Sequence, residues 1–176
     1  MMFLNLKIEP LINKYFDGKT DKGGNNYKNH LYYVADSVLN EKKLKVKDKK
    51  SSLSLFYDKA YYVALLHDIL EDTDCSEQEL RDIGCDDEII DAIKAITRKK
   101  EEQYYFDFIK RVSQNDIARI VKIYDLEHNM DIRRLNTFGD YEQKRLKKYW
   151  YSWKYLKGEI SEIECNNTIH PNRKFR

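Results

Sequence analysis

The chain has 176 residues, of which 32 are Lys or Arg and 30 are Asp or Glu, so its formal net charge is only +2. This length predicts one domain with a hydrophobic core, and the near balance of charge argues against a protein built around nucleic-acid binding. Six glycines and two prolines leave few chain breaks, which favours helices and excludes a sandwich or barrel of many short strands.

The cysteines and the apolar runs limit the cellular setting. Cys75, Cys85 and Cys165 are odd in number and lack a C-x-x-C spacing, so they predict neither a disulfide framework nor a zinc knuckle. Such cysteine usage favours a reducing cytoplasm. The longest apolar runs, such as residues 61–66, are far shorter than the roughly 20 residues that a membrane-spanning helix needs. We expect no secretory signal and no membrane partner.

The first three predicted helices follow from hydrophobic periodicity. Apolar residues recur at helical spacing from Leu4 to Phe16, and a loop with three glycines and three asparagines follows them. A second helix begins near His30. A third helix, over residues 53–70, is apolar almost all round in its last turns, so it should be central and buried.

Capping signals delimit the later helices. Ser76 with Glu79 forms a capping box that opens a short helix ending at Gly84, and Asp86 or Asp87 can cap the next helix. Three more helices are predicted at residues 105–113, 116–130 and 140–156. The sequence therefore predicts an all-α, single-domain bundle of seven or eight helices.

The predicted domain spans residues 1–157. Within it, residues 41–52 are mostly charged, and we interpret them as a solvated insertion loop or an extended helix end. Residues 158–176, which include His170, are predicted to be a polar and flexible C-terminal tail. The aromatic stripe of the helix before this tail is interpreted as core, and its basic face as solvent-exposed.

Acidic and imidazole side chains crowd the end of the third helix, in the segment ALLHDILEDTD. Residues four apart share a helix face, so His67 should lie over Glu71, and Asp68 over Asp72. A charged quartet at the end of an apolar helix is costly to bury unless it is compensated, and a divalent metal ion can compensate it.

A second polar set lies in the segment VKIYDLEHNMDIRR, where offsets of three and four predict one face of another helix made by Lys122, Asp125, Asn129 and Arg133. His128 points about 100° away from Asn129, which favours a structural role over that of a metal ligand. Periodicity alone favours solvated faces for both sets. The apolar segments that lead into them favour a metal site, because solvated faces rarely have such neighbours.

These residues carry a resemblance to a known family. His30 in NHLYYVA, His67 and Asp68 in LLHDILEDTD, and Asp125 in KIYDLEHNM resemble the ordered H…HD…D pattern of the HD-domain phosphohydrolases. More narrowly, HDxxEDT followed by an ITR helix end and by DLxHNM resembles the RelA/SpoT-type (p)ppGpp hydrolase domain and its stand-alone small alarmone hydrolase relatives. The resemblance covers residues 4–156.

The resemblance implies an HD-domain bundle and a metal-dependent (p)ppGpp 3′-pyrophosphohydrolase, which releases pyrophosphate from a phosphorylated guanosine nucleotide. The metal ligands that it implies are His30, His67, Asp68 and Asp125, and the ion is Mn²⁺. Two imidazoles with two carboxylates independently suit a first-row transition ion better than Mg²⁺. The resemblance further implies that Glu71 and Asp72 are the catalytic acidic pair.

The resemblance also implies substrate-binding residues. The loop DKGGNNYKNH is similar to the family stretch RKSGxPYxxH, so Lys22 and Tyr27 are expected to bind substrate. Asn129 is a further family position and is expected to bind substrate. Arg133, on the same predicted helix face, is also expected to bind substrate. The leading Arg of the family stretch is replaced by Asp21, which lacks a planar guanidinium and would repel phosphate.

Three alternatives stay open. The first is an HD hydrolase for another nucleotide, such as the 2′-phosphate of NADPH or a nucleoside mono- or triphosphate, and Asp21 favours it. The second is a nucleotide- or partner-binding module without turnover, although every ligand and acid/base position is filled. The third is nucleic-acid binding through the basic C-terminal helix, which we expect to be weak and strongly salt-dependent.

Overall fold

The helices of the computed structural model, which describes residues 2–21 and 23–173, follow the hydrophobic periodicity of the sequence. The first five are α1 Met2–Phe16, α2 Lys28–Lys45, α3 Ser52–Leu66, α4 Ile69–Asp72 and α5 Glu77–Asp82. The others are α6 Asp87–Ile96, α7 Tyr105–Ser113, α8 Asp116–Asn129, α9 Asp140–Leu156 and α10 Glu162–Ile169, with a 3-10 turn at Ile132–Arg134. The prediction of an all-α single domain is confirmed.

Two more helical segments are described than the eight that the sequence predicts. One arises because the predicted helix over residues 53–70 is divided, and the other because the predicted tail contains a helix. Within the described ranges, the only pairing of the β type is an isolated bridge between Thr20 and Asn26, in the loop that joins α1 to α2.

The centre of the bundle is formed by α2, α3 and α8, which pack on one another, and α6 packs against α3 and α8. The last turns of helix α3 are buried nearly all round, and Ala60, Val63, Ala64 and Leu66 on it have no exposed surface. The predicted central position of this helix is therefore confirmed. Its burial brings the end of α3 into the middle of the protein, beside α2 and α8.

Local capping sets the starts of several helices. Ser76 accepts a hydrogen bond from the backbone N–H of Glu79, whose carboxylate in turn accepts from the backbone N–H of Ser76, so the predicted capping box is present. Asp86 accepts from the backbone N–H of Ile89 and is the cap of α6. These bonds satisfy backbone donors that lack a partner in the first turn of a helix.

Only part of the charged segment at residues 41–52 forms a loop. Helix α2 continues through Lys45, and only residues 46–51 connect it to α3. Ion pairs support this last turn of α2, since Lys45 pairs with Glu41 and Lys42 pairs with Asp58 on α3 at 2.6 Å. The interpretation as an extended helix end therefore holds for the first part of the segment.

The prediction of a flexible tail after residue 157 is wrong for the described part of that segment. Helix α10 packs on α9 and α7, with Cys165 and Asn166 fully buried. Ser161 caps its first turn by accepting from the backbone N–H of Glu164. His170 is also ordered by a contact, because its Nε2 accepts a hydrogen bond of 3.2 Å from the backbone N–H of Phe106.

Among the helices of the described ranges, none combines the length and the apolar character that crossing a bilayer demands.

Removal of α10 tests its contribution to stability. We expect a chain that ends at Lys157 to unfold at a lower temperature than the full chain, because the truncation exposes the surfaces of α7 and α9 that α10 covers. The loss should be about 2 to 3 kcal/mol, the order of exposing one core side chain. Thermal unfolding followed by circular dichroism measures this loss of stability. Equal unfolding midpoints for the two chains would support the original prediction of a flexible tail.

Candidate metal centre

Four side-chain donor atoms converge where α2, α3 and α8 meet. The Nε2 atoms of His30 and His67 lie 3.2 Å apart. Asp68 Oδ2 is 3.0 Å from the His67 nitrogen and 3.6 Å from the His30 nitrogen, and Asp125 Oδ1 is 3.0 Å from His30 and 3.6 Å from His67. The structure therefore brings together the four predicted metal ligands.

The spacing of the two imidazoles from each other and from each carboxylate fits a metal shell. With bonds of about 2.1 Å, neighbouring ligands stand about 3.0 Å apart in an octahedral shell and about 3.4 Å apart in a tetrahedral one. The observed separations of 3.0 to 3.6 Å span these two values. Among the described residues, those whose donors all lie within 4.8 Å of one another are His30, His67 and Asp68, and Asp125 adjoins this group through the two imidazoles. This group could hold a metal ion.

A break in the helix orients two of the donors. The sequence predicts one continuous helix over residues 53–70, but α3 ends at Leu66 and α4 begins at Ile69. Asp68 has φ −98° and ψ −1°, between the regular helical and extended regions. In this turn the Nδ1 of His67 lies 2.7 Å from the carbonyl oxygen of Ala64. Because a carbonyl can only accept, Nδ1 carries the proton and Nε2 faces the cluster.

Asp125 is held by two further groups of its own helix. Its Oδ2 pairs with the ammonium of Lys122 at 2.7 Å, and its Oδ1 accepts a hydrogen bond of 2.6 Å from the side-chain amide of Asn129. Both contacts follow the offsets of three and four that the sequence predicts. Asp125 and Lys122 are 4% and 12% exposed, so each compensates the buried charge of the other.

The electrostatics of the cluster favour a bound cation. Burial lowers the pKa of His67, but the carboxylates of Asp68 and Asp125 outweigh burial and raise it to about 10. Burial acts to raise the pKa of Asp125, and Lys122 and the two imidazoles hold it well below its usual range. The negative charge of the cluster therefore attracts a proton to His67, in the position where a metal ion would supply positive charge.

The cluster opens into a cavity of about 440 Å³. Among the described residues that line this cavity, the acidic ones are Asp21, Asp68, Glu71, Asp72, Asp125 and Asp131, and the basic ones are Lys122, Arg134 and Arg145. Six carboxylates against three cations give an acidic cavity, which a divalent ion would partly neutralise.

The predicted acidic pair lines the same cavity. Glu71 accepts a hydrogen bond of 2.9 Å from the backbone N–H of Arg98, at the ITR end of α6. Burial raises the pKa of Glu71. Tyr27, whose ring stacks on Phe16, places its hydroxyl 2.6 Å from Asp68 Oδ2 and 2.7 Å from Asp72 Oδ2. A hydroxyl has one hydrogen, so it can donate to only one of these carboxylates at a time.

Of the predicted substrate-binding residues, Tyr27 and Asn129 line the cavity, and Lys22 lies outside the described residues. The prediction that Arg133 shares a helix face with Asn129 is wrong, because α8 ends at Asn129 and Arg133 lies in the following 3-10 turn. Its side chain is 87% exposed and pairs with Asp131. The next residue, Arg134, lines the cavity instead.

Sequence reasoning missed several residues of the site. Arg134 pairs with Asp21 at 2.6 Å and also contacts His128, which lies 2.6 Å from His30. Arg145 lines the cavity from α9, and its Nε is the only buried side-chain nitrogen or oxygen of the described residues that lacks a hydrogen-bond partner. An i,i+4 offset from Arg145 to Tyr149 was the available signal, but the basic face of this helix was interpreted as solvent-exposed.

No protein-family model matches the chain, and a search of curated proteins finds no match of significant similarity. The functional interpretation therefore depends on the geometry of the site and on the residues of the sequence motifs.

The assignment of Asp125 as a ligand can be tested by Asp125→Asn, which keeps the volume but removes the charge. We expect the variant to lose Mn²⁺ binding and to be less stable by about 3 kcal/mol, because Lys122 loses its buried partner. Metal content by elemental analysis and unfolding in urea measure the two effects. Asp116→Asn, at the exposed start of the same helix, is the matched control. A variant with wild-type metal content would contradict the assignment.

Metal binding should release protons. In the metal-free protein the raised pKa of His67 keeps its imidazole protonated at neutral pH, and a ligand nitrogen must lose that proton. We expect about one proton per Mn²⁺ at about pH 7, and tighter binding as the pH rises towards 10. Calorimetric titration in two buffers of different ionisation enthalpy measures the release. The same enthalpy in both buffers would show that no proton leaves.

Proposed function

We propose that this protein is a metal-dependent phosphohydrolase of phosphorylated nucleotides, and specifically a (p)ppGpp 3′-pyrophosphohydrolase of the HD-domain type. The observation that carries the proposal is the convergence of two imidazoles and two carboxylates beside a cavity that a separate acidic pair also lines. The reaction adds water across a phosphoester bond, so it needs an activated water, a proton donor for the leaving group and compensation of the phosphate charge.

His30, His67, Asp68 and Asp125 would hold the divalent ion. Nitrogen and oxygen donors in equal number suit a first-row transition ion such as Mn²⁺. When bound, such an ion supplies Lewis acidity, which lowers the pKa of water and withdraws charge from a phosphate group.

The acidic pair performs the proton transfers. Burial raises the pKa of Glu71, so this carboxyl takes up a proton more readily than an exposed glutamate does, as suits a group that both accepts and donates a proton. Its carboxylate is oriented by the backbone N–H of Arg98, and Asp72 is oriented by the Tyr27 hydroxyl. Lys19 further fixes this turn through a hydrogen bond of 2.8 Å to the carbonyl oxygen of Asp72. We assign to this pair the deprotonation of water and the protonation of the leaving oxygen.

Arg145 supplies recognition of an anion. A buried guanidinium nitrogen without a partner is costly, and a phosphate oxygen of the substrate would satisfy it. The guanidinium lies 5.8 Å from the centre of the Tyr149 ring, which also lines the cavity. Lys122 contributes positive charge at the same wall, although its ammonium is already paired with Asp125.

A different phosphorylated nucleotide, such as NADPH through its 2′-phosphate, is the second candidate substrate. Asp21 favours it, because this residue stands where the family that the sequence resembles has an arginine. Its carboxylate is engaged by Arg134 and by the backbone N–H groups of Gly23 and Asn25. The loop itself therefore offers a paired carboxylate at residue 21, where the resemblance leads us to expect a guanidinium.

We also propose a cytoplasmic location. The three cysteines are buried and none of them forms a disulfide, which is typical of proteins in a reducing compartment.

Release of phosphate and pyrophosphate tests the proposal. Purified protein with Mn²⁺ is assayed on ppGpp, pppGpp, NADPH and the common nucleoside triphosphates. We expect pyrophosphate from the two guanosine alarmones and a rate at least about 100-fold lower for Asp72→Asn, with metal content unchanged, because a positioned acid or base contributes about that factor.

Asp74→Asn is the control for this assay, since it makes the same chemical change at an exposed residue outside the cavity lining. Turnover of another nucleotide alone would keep the metal centre and move the substrate. If the protein shows no hydrolysis of these nucleotides that the Asp72→Asn substitution reduces, the hydrolase is refuted and a binding module is favoured.

A further inference from the structure

We infer that His128 and Arg134 are positioning residues that fix the tautomer of His30 and so direct its Nε2 into the ligand cluster. The inference deepens the proposed function and rests on it, because it assigns a role to groups behind one of the proposed metal ligands. Neither residue belongs to the buried His30, His67 and Asp68 group.

The His30 and His128 rings face each other edge to edge. Their Nδ1 atoms are 2.6 Å apart, their planes differ by 8° and their centroids are 4.9 Å apart. That centroid separation matches the gap between the nitrogens plus one ring radius on each side, so the two rings lie in nearly one plane. A lone pair of an imidazole nitrogen also lies in the ring plane, and this geometry is therefore that of a direct N–H···N hydrogen bond.

Arg134 decides the direction of this bond. One of its terminal nitrogens lies 2.9 Å from His128 Nδ1 and also 2.9 Å from the carbonyl oxygen of His128. A guanidinium carries only donors, so His128 Nδ1 must accept from it. A proton on His128 Nδ1 would lie in the ring plane towards His30 but only 2.9 Å from the donors of a cation, whereas a lone pair there can accept from both Arg134 and Nδ1 of His30. The proton of the imidazole pair therefore lies on Nδ1 of His30.

This direction determines what His30 offers to a metal. With the proton on Nδ1, the lone pair of the neutral ring lies on Nε2, which faces His67, Asp68 and Asp125. His67 reaches the same state through the carbonyl oxygen of Ala64. Each of the two imidazoles thus has its own acceptor behind it, as is usual for histidines that bind a metal.

Other contacts hold the two positioning residues in place. The face of the His128 ring stacks on Tyr33, with centroids 4.0 Å apart. Arg134 is tied to Asp21 at 2.6 Å, and this carboxylate is itself fixed by the backbone N–H of Gly23 at 2.9 Å. A Cβ atom at Gly23 would lie 2.5 Å from the carbonyl oxygen of Arg134, so the loop approaches the 3-10 turn as closely as only glycine permits.

Nuclear magnetic resonance tests the hydrogen bond directly. In the full chain with ¹⁵N-labelled histidine, we expect a scalar coupling between the Nδ1 atoms of His30 and His128, with the proton covalently bound to the His30 nitrogen. A proton bound to His128 Nδ1, or no coupling between the two nitrogens, would overturn the inference. This measurement needs neither a metal nor a variant.

Metal affinity tests the consequence. His128→Phe keeps an aromatic ring against Tyr33 but removes the acceptor nitrogen, and Arg134→Met removes the donors. We expect both variants to bind Mn²⁺ about 10- to 100-fold more weakly, the usual effect of losing a group that orients a metal ligand. Arg81→Met is the matched control, because it makes the same change at an ion-paired arginine outside the cavity lining, whose partners Glu77 and Asp87 lie on α5 and α6. Electron paramagnetic resonance of free Mn²⁺ measures the affinities.

The two readouts separate this inference from the proposed function. A wild-type chain that shows the N–H···N coupling but does not bind Mn²⁺ would refute the metal-dependent hydrolase and leave the His30 tautomer established. Equal Mn²⁺ affinities of the wild-type chain, the His128→Phe variant and the Arg134→Met variant would overturn the positioning role. That result would leave the proposed hydrolase unaffected. Circular dichroism checks that each variant is folded. If a variant is unfolded, the N–H···N coupling measured in the wild-type chain still tests the inference.

Discussion

The buried carboxylate of Asp125 connects the three helices at the centre of the protein. It receives Lys122 and Asn129 from its own helix, His30 from α2 and His67 from the end of α3. An uncompensated charge in this position would cost several kcal/mol, so the positions of α2, α3 and α8 relative to one another are constrained by the need to surround it. The same constraint brings the candidate metal ligands together. The contacts that surround Asp125 therefore determine both the packing of the central helices and the geometry of the candidate site.

Much of the fold was predictable because most helices combine a periodic apolar face with a capping residue. Helix α7 and helix α9 have the predicted bounds, and the capping box at Ser76 is present. Helix α10 was missed because its sequence, with two asparagines and a threonine, has low intrinsic helix propensity. Its stability comes from tertiary burial of Cys165 and Asn166, which no local pattern reports.

The site was predictable where it follows helical offsets and unpredictable where the backbone departs from the helix. Offsets of three and four correctly joined Asp125 to Lys122 and Asn129. The same extrapolation failed one turn later, because α8 ends at Asn129 and the 3-10 turn presents Arg134 rather than Arg133 to the cavity. Local spacing also has no means of relating α9 to this cavity, since Arg145 reaches it only through the packing of the bundle.

The charge of Asp21 in the loop between α1 and α2 is compensated by Arg134 from the 3-10 turn. Burial acts to raise the pKa of its carboxyl, but Arg134 and two backbone N–H groups lower it, so it remains a carboxylate. Its ion pair with Arg134 carries no net charge, and the loop therefore neither attracts nor strongly repels a phosphate. For the anionic substrate proposed above, binding in this acidic cavity would depend on Lys122 and Arg145 and on a cation held by the four candidate ligands. The metal centre would thus serve recognition of the substrate as well as the chemistry.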